Sequence, residues 1–161
     1  MESFFLDVIA NDPRFHQTGV ISDIKLLEPE TRARVEAIIE EARRSKGIEL
    51  MIFETYRSRE RQKALFDQKA SKLKEVGVHH YGLACDIVKN INGEPSWKGD
   101  FSFLGRLARK HGLVWGGDWG NPGVKPRFFD GAHVQRCSVK KQRALFGGAW
   151  YPHAGYDPYK D

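Results

Sequence analysis

Gly77-Val78-His79-His80-Tyr81-Gly82-Leu83-Ala84-Cys85-Asp86 is the stretch on which the reading of this chain turns. It sets two histidines and an aspartate among small residues. Gly82 and Ala84 permit a tight turn into a strand that brings Asp86 back toward His79. Outward from there, Ala84 to Val88 reads as a short strand entered from a loop centred on Gly77. Upstream, Pro29 to Ser45 predicts a helix, with Val35, Ile38, Ile39 and Ala42 at 0, +3, +4 and +7 on one face and Gly47 as its stop. Ile48 to Thr55 reads as a strand, and Ser58 caps a second helix running to about Ala70 with Ala64 and Leu65 inward. Downstream, Ser102 caps a third helix in which Leu104, Leu107, Ala108 and His111 repeat the spacing, with Gly112 at its end. Leu113 to Trp115 and Phe128 to Gln135 are further strands, separated by the Gly/Pro-rich loop Gly116 to Pro126. The expected class is α+β, with helices gathered first and strands carrying the polar residues. The aromatic tail, Trp150 to Asp161, either packs on the domain or frays.

Composition narrows the classes. With 161 residues the chain fits one domain, and no linker or repeat divides it. Hydrophobic residues at 40% and charged residues at 29% are globular values. No apolar run is long enough to span a membrane; Asp7 already interrupts Phe4-Phe5-Leu6. Met1-Glu2-Ser3 lacks a basic region, so no cleaved secretory signal is expected. The 26 basic residues exceed the 21 acidic ones by five, but they are interleaved with Glu and Asp, as from Glu36 to Arg44. That pattern is not the stripe of a nucleic-acid binder. Lys140-Lys141-Gln142-Arg143 reads as a solvated face. Cys85 and Cys137 do not make a disulfide framework, and whether they pair is open.

Three segments concentrate the unusual residues: Gly77 to Asp86, Trp115-Gly116-Gly117-Asp118-Trp119, and Asp130-Gly131-Ala132-His133-Val134-Gln135. A catalytic zinc site needs three protein ligands and one open position. His79, Asp86 and His133 supply two imidazoles and a carboxylate. Asp130, three residues before His133, can reach the same cavity as a general base. A bound water whose pKa falls from 15.7 to about 7 is a nucleophile at neutral pH. Arg57, at the end of the Ile48 to Thr55 strand, is the cation placed to stabilise an oxyanion. His80 would point elsewhere on an extended chain and is the second choice for a metal. Asp118 also fits a plain turn, and Trp115 and Trp119 also fit core aromatics. Cys85 alternates away from Asp86 and carries no sign of a reactive thiol. His16, His111 and His153 read as ordinary surface or core histidines.

The set His79-x-x-Gly82-x-Ala84-x-Asp86, Trp115-Gly116-Gly117-Asp118-Trp119 and Asp130-x-x-His133 resembles the zinc D,D-peptidase and L-alanyl-D-glutamate endopeptidase family, which includes many phage endolysins. Thr55-Tyr56-Arg57-Ser58 with Gln62 resembles that family's segment before the first ligand. The match runs in order from about Ile48 to Gln135. It implies a single Hedgehog/D,D-peptidase-like domain over 1–161, with a small antiparallel sheet, flanking helices and a motif-bearing core about 48–135. It further implies zinc on His79, Asp86 and His133, Asp130 as catalytic base, Arg57 polarising the scissile carbonyl, and Asp118, Trp115, Trp119 and Gln62 about the substrate. One departure is Gly77, where the family usually has Ser.

The expectation is therefore a monomeric zinc peptidase acting on the peptidoglycan stem peptide, with no nucleic acid and no stable membrane insertion. It would accumulate in the cytoplasm and reach the wall on release. L-Ala–D-Glu is the expected bond, with Lys125 and Arg127 placed to meet the D-Glu α-carboxylate. A D-alanyl-D-alanine carboxypeptidase or dipeptidase on the same scaffold, a delivered toxin with the same chemistry and a non-catalytic wall-binding module are the competing readings. Asp130 argues against the last, since a binding module needs no base beside a metal.

Overall fold

The computed structural model describes residues 3–69 and 76–161. Ten regular elements follow one another in these residues: α1 (Phe4–Asp7), α2 (Pro29–Lys46), β1 (Leu50–Glu54), α3 (Arg59–Asp67), β2 (Ala84–Ile91), β3 (Glu94–Ser96), α4 (Ser102–Lys110), β4 (Val114–Trp115), β5 (His133–Gln135) and α5 (Gln142–Phe146). Helices and strands thus alternate rather than separating into a helical and a stranded half. The class is still α+β, because every strand pairing is antiparallel. The sheet runs β1-β2-β5-β4, with β3 also paired to β2.

The α2 helix forms where Pro29 and the apolar spacing place it. Glu28 caps its start, accepting from the N–H groups of Thr31 and Glu30, and Gly47 closes it by bonding back to Ala42 and Arg43. Its buried stripe, Val35, Ile38 and Ala42, meets Leu104, Leu107 and Ala108 of α4 and one face of the sheet in the main core. Cys85 and Ile87 of β2 and Val134 of β5 point into that core. The intervening residues Asp86, His133 and Gln135 therefore face the other way, since side chains alternate along a strand. This period of two gives the sheet one apolar face and one face free for chemistry.

Several boundaries differ from the sequence reading. The strand expected over Ala84 to Val88 continues to Ile91, because β3 extends its pairing. The α3 helix is capped by Ser58 but ends at Asp67, and its buried side chain is Gln62, with Ala64 and Leu65 half-buried; Ala70 lies outside the described residues. Ser102 does not cap α4: it is the first helical residue, and its own N–H bonds to the Asp100 carboxylate at 3.1 Å. Only His133–Gln135 of the Phe128 to Gln135 stretch is strand. A turn interrupts it, in which the His133 N–H bonds to the Asp130 carbonyl at 3.1 Å. Cys85 and Cys137 are both free and buried.

The tail packs rather than fraying. Arg136, fully buried just after β5, donates to the carbonyls of His153 and Tyr156 at 3.1 and 3.2 Å. It also pairs with Glu28 at 2.9 Å. One ion pair thus joins the start of α2, the end of β5 and the C-terminal segment. Tyr159 adds a bond from its hydroxyl to the Leu113 carbonyl at 2.9 Å.

Candidate metal centre

Three elements deliver the candidate ligands. His79 sits on a 3-10 turn, Val78–Tyr81, that ends at Gly82 in the left-handed region, φ 73°. A Cβ there would stand 2.6 Å from Ile9 Cδ1 and 2.9 Å from the Leu26 carbonyl oxygen, so only glycine lets the turn close against the N-terminal segment. Asp86 and His133 are direct cross-strand partners in the β2/β5 register. On the other side of β2, an irregularity between Ile52 and Glu54 shifts the β1 register and sets Glu54 opposite Asp86.

His79 Nε2 lies 3.3 Å and His133 Nδ1 lies 3.4 Å from the same Asp86 oxygen, Oδ1. One ligand atom from each of the three falls within 4.8 Å of the others. Around a tetrahedral zinc with bonds of about 2.0–2.1 Å, neighbouring ligand atoms stand about 3.3–3.4 Å apart. The hydrogen-bond network also fixes which nitrogen of each ring carries a proton. His79 Nδ1–H donates to the Thr55 carbonyl at 2.7 Å, and His133 Nε2–H donates to Gln135 Oε1 at 2.7 Å. Gln135 is locked in that orientation, because its own amide donates to the Cys137 carbonyl at 2.6 Å and to Gln142 Oε1 at 2.9 Å. Both imidazole lone pairs therefore face a carboxylate oxygen. Among the described residues, His79 Nε2 and Asp86 Oδ1 are buried with no hydrogen-bond partner. Such an arrangement is repulsive unless a cation lies between the three groups, so the residues fit a metal.

Burial opposes a charge on His133, but the Asp86 and Asp130 carboxylates beside it raise its pKa, so a cation at this position, a proton or a metal, is favoured. Burial would raise the Asp86 carboxyl, but His79, His133 and Arg57 outweigh it and hold it well below the usual range. Burial raises Asp130, and the nearby Asp86 charge adds to the effect.

Arg57 lies beside the cluster, largely committed. Its Nη2 reaches Glu54 at 2.9 Å and the second Asp86 oxygen at 3.3 Å, and its Nη1 donates to Gln62 Oε1 at 3.2 Å. Its Nε–H is buried with no hydrogen-bond partner among the described residues. Glu54, nearly fully buried, also takes Arg61 at 3.1 Å. Glu54, Gln135 and the Thr55 carbonyl went unread in the sequence; the polar Glu54 closing an apolar strand was the one available signal.

A cleft of ≈ 570 Å³ opens over these groups, lined by Arg57, Gln62, His79, Asp130 and His133 together with Trp119 and Asp118. Trp119 adopts φ 53°, rare for a bulky residue. That conformation brings its ring 5.2 Å from the His133 ring and lets its indole N–H hold the Phe128 carbonyl at 2.7 Å. Trp115 is not on the cleft. Its indole N–H holds the Gly131 carbonyl at 2.7 Å, and its ring lines a second hollow of ≈ 810 Å³ behind the loop. Asp118 reaches both spaces, but its carboxylate is taken by Arg109 at 3.2 Å and the Gly120 N–H at 2.9 Å.

His80 turns away from the cluster, as expected. Its ring packs against Phe5, Phe15, Tyr56 and Tyr81, and burial lowers its pKa to about 4. Cys85 is inert, since burial drives its thiol pKa far up. Gly116 positions Asp130 through backbone contact: it accepts the Asp130 N–H at 2.8 Å, and a Cβ on it would meet the Asp130 carbonyl oxygen at 2.3 Å. Gly116→Ala should therefore cost about 1–3 kcal/mol in urea unfolding and depress activity further by displacing Asp130. Unchanged stability and activity would show that the loop yields at no cost.

A family model described as D-alanyl-D-alanine carboxypeptidase matches residues 71–136, a span holding His79, Asp86, Asp130 and His133. The peptidoglycan L-alanyl-D-glutamate endopeptidase CwlK of Bacillus subtilis is 26% identical over 156 residues, covering 82% of this chain and 89% of that protein. The chain is thus similar to M15 peptidases. The L-alanyl-D-glutamate peptidase of Listeria phage A118 is 28% identical over 125 residues, which cover 75% of this chain but only 42% of the phage protein. The crystal structure of the Serratia marcescens L-Ala D-Glu endopeptidase ChiX superposes with a TM-score of 0.51 at 25% identity, over 74% of this chain and 90% of that one. No helix among the described residues is long and apolar enough to cross a membrane.

Proposed function

We propose that this peptidase is zinc-dependent and hydrolyses the L-Ala–D-Glu bond of the peptidoglycan stem peptide. The observation that carries the metal is the pair of imidazole lone pairs, on His79 Nε2 and His133 Nδ1, aimed at one buried Asp86 oxygen. Two nitrogens, one carboxylate oxygen and an open cleft are the donor set of a catalytic zinc rather than of a closed structural site. A zinc ion held there supplies a Lewis acid that acidifies water.

The residues around it divide the remaining work. Asp130, its pKa raised by burial, accepts the proton of the attacking water and returns it to the departing D-Glu amine as the C–N bond breaks. The Arg57 guanidinium meets the scissile carbonyl oxygen as charge develops there, while its other contacts hold Asp86 in place. Gln62 orients Arg57, and Trp119 forms an apolar wall for the stem. Residues 1–161 read as one catalytic domain. The phage relative supports a role in wall lysis after release.

The names of the Bacillus, phage and Serratia relatives favour the L-Ala–D-Glu bond. The description of the matching family favours the second reading, removal of a terminal D-Ala. Mass spectrometry of a muropeptide digest separates them. The expected digest releases peptides beginning with D-Glu and leaves L-Ala on the muramic acid; free D-Ala with the L-Ala–D-Glu bond intact would replace the first reading by the second.

A further inference from the structure

Among the described residues, two arginines line the cleft, Arg57 and Arg127. Arg57 is bound to Glu54, Asp86 and Gln62. Arg127 is exposed and makes no hydrogen bond or ion pair with any described residue. The cleft's carboxylates do not claim it: Asp118 is held by Arg109, Asp86 by Arg57 and the two imidazoles, and Asp130 makes no ion pair with it. A guanidinium without an ion-pair partner at the cleft suits a carboxylate that arrives with the substrate. Lys125 is not an alternative, because it lines the hollow behind the loop and not the cleft.

The place of Arg127 in the loop says which carboxylate. It stands three residues before Asp130, and its neighbour Phe128 is pinned by the Trp119 indole at 2.7 Å. On the function proposed above, on which this inference rests, Asp130 serves the nitrogen of D-Glu. In the stem, D-Glu continues through its γ-carboxyl, so its α-carboxylate is free and two bonds from that nitrogen. The geometry points to Arg127 as the residue that binds this α-carboxylate, making the enzyme selective for stems in which it is free over stems in which it is amidated. The reason is chemical. A carboxylate offers a guanidinium two acceptors and a charge; a carboxamide offers one acceptor, no charge, and an NH₂ group that only opposes the guanidinium donors.

The test uses two synthetic stem peptides, identical except that D-Glu carries an α-carboxylate in one and an α-carboxamide in the other. Products are identified by mass and kcat/KM is measured for each. The wild-type enzyme should favour the free acid by about 10- to 100-fold, chiefly through KM. Arg127→Gln should erase that preference by slowing the free acid, and Arg127→Lys should restore part of it. Equal wild-type rates at the L-Ala–D-Glu bond, or an Arg127→Gln variant slowed equally on both peptides, would overturn the assignment alone. Cleavage of both peptides at another bond would overturn the proposed function and this assignment with it.

Discussion

On the zinc site proposed above, His133→Ala should abolish zinc binding and activity together, whereas His80→Ala should leave zinc binding intact. The two histidines differ in what their lone pairs face. His133 Nδ1 points at Asp86 Oδ1 at 3.4 Å, with its other nitrogen tied to Gln135. His80 lies in an aromatic cluster and donates to the Arg57 carbonyl at 3.3 Å. Its loss leaves a cavity but removes no ligand. Gln135→Ala should fall between them, since losing an outer partner of a ligating histidine weakens metal binding about 10- to 100-fold. Asp130→Asn should retain the ion and lose about 10²- to 10⁴-fold in kcat, because the amide cannot take a proton. Metal content by mass spectrometry after dialysis, alongside the digestion rate, tests all four. Equal metal loss in His80→Ala and His133→Ala would sink the ligand assignment, and a near-normal rate in Asp130→Asn would sink the base.

Glu28→Gln should destabilise the whole domain by about 3–5 kcal/mol, the cost of leaving one member of a buried ion pair unmatched. Arg136 is fully buried, and its charge is met by Glu28 at 2.9 Å. The same Glu28 oxygen accepts from the Thr31 N–H and hydroxyl at 2.9 and 2.8 Å, so one carboxylate caps α2 and balances Arg136. For a domain of this size each kcal/mol moves the midpoint by about 2–4 °C, so a fall of roughly 6–20 °C is expected. Replacing both partners, as Glu28→Leu with Arg136→Met, should recover most of the loss. The remaining deficit should be about 1 kcal/mol for the missing cap, plus the lost hold on the tail. A midpoint for Glu28→Gln within a degree of the parent would show that the pair does not carry this joint.

What the sequence revealed and what it hid follow from the range of the interactions. The cluster of His79, Asp86 and His133 was legible because a turn glycine and two short strands leave local marks, and a strand's period of two then assigns their face. The α2 helix was legible for the same reason, through its apolar spacing and its proline. Glu28 and Arg136 lie 108 residues apart and meet through the packing of three segments, which no local period encodes. Glu54 reaches Asp86 only through the register shift in β1, and a single displaced residue has no signature in composition. The expected strand from Phe128 failed because its alternation of side chains was misread as pairing. Its carbonyls at Phe128 and Gly131 are satisfied by the indoles of Trp119 and Trp115 instead of by a neighbouring strand.

Those two indole contacts also bear on how acid affects the enzyme. An indole N–H neither gains nor loses a proton in ordinary conditions, and neither does the backbone bond between Gly116 and Asp130. His80, packed beneath the ligand turn, stays neutral until the pH approaches its pKa of about 4. These particular contacts therefore hold the Asp130 loop and the turn beneath it without a group that changes charge between about pH 5 and 8.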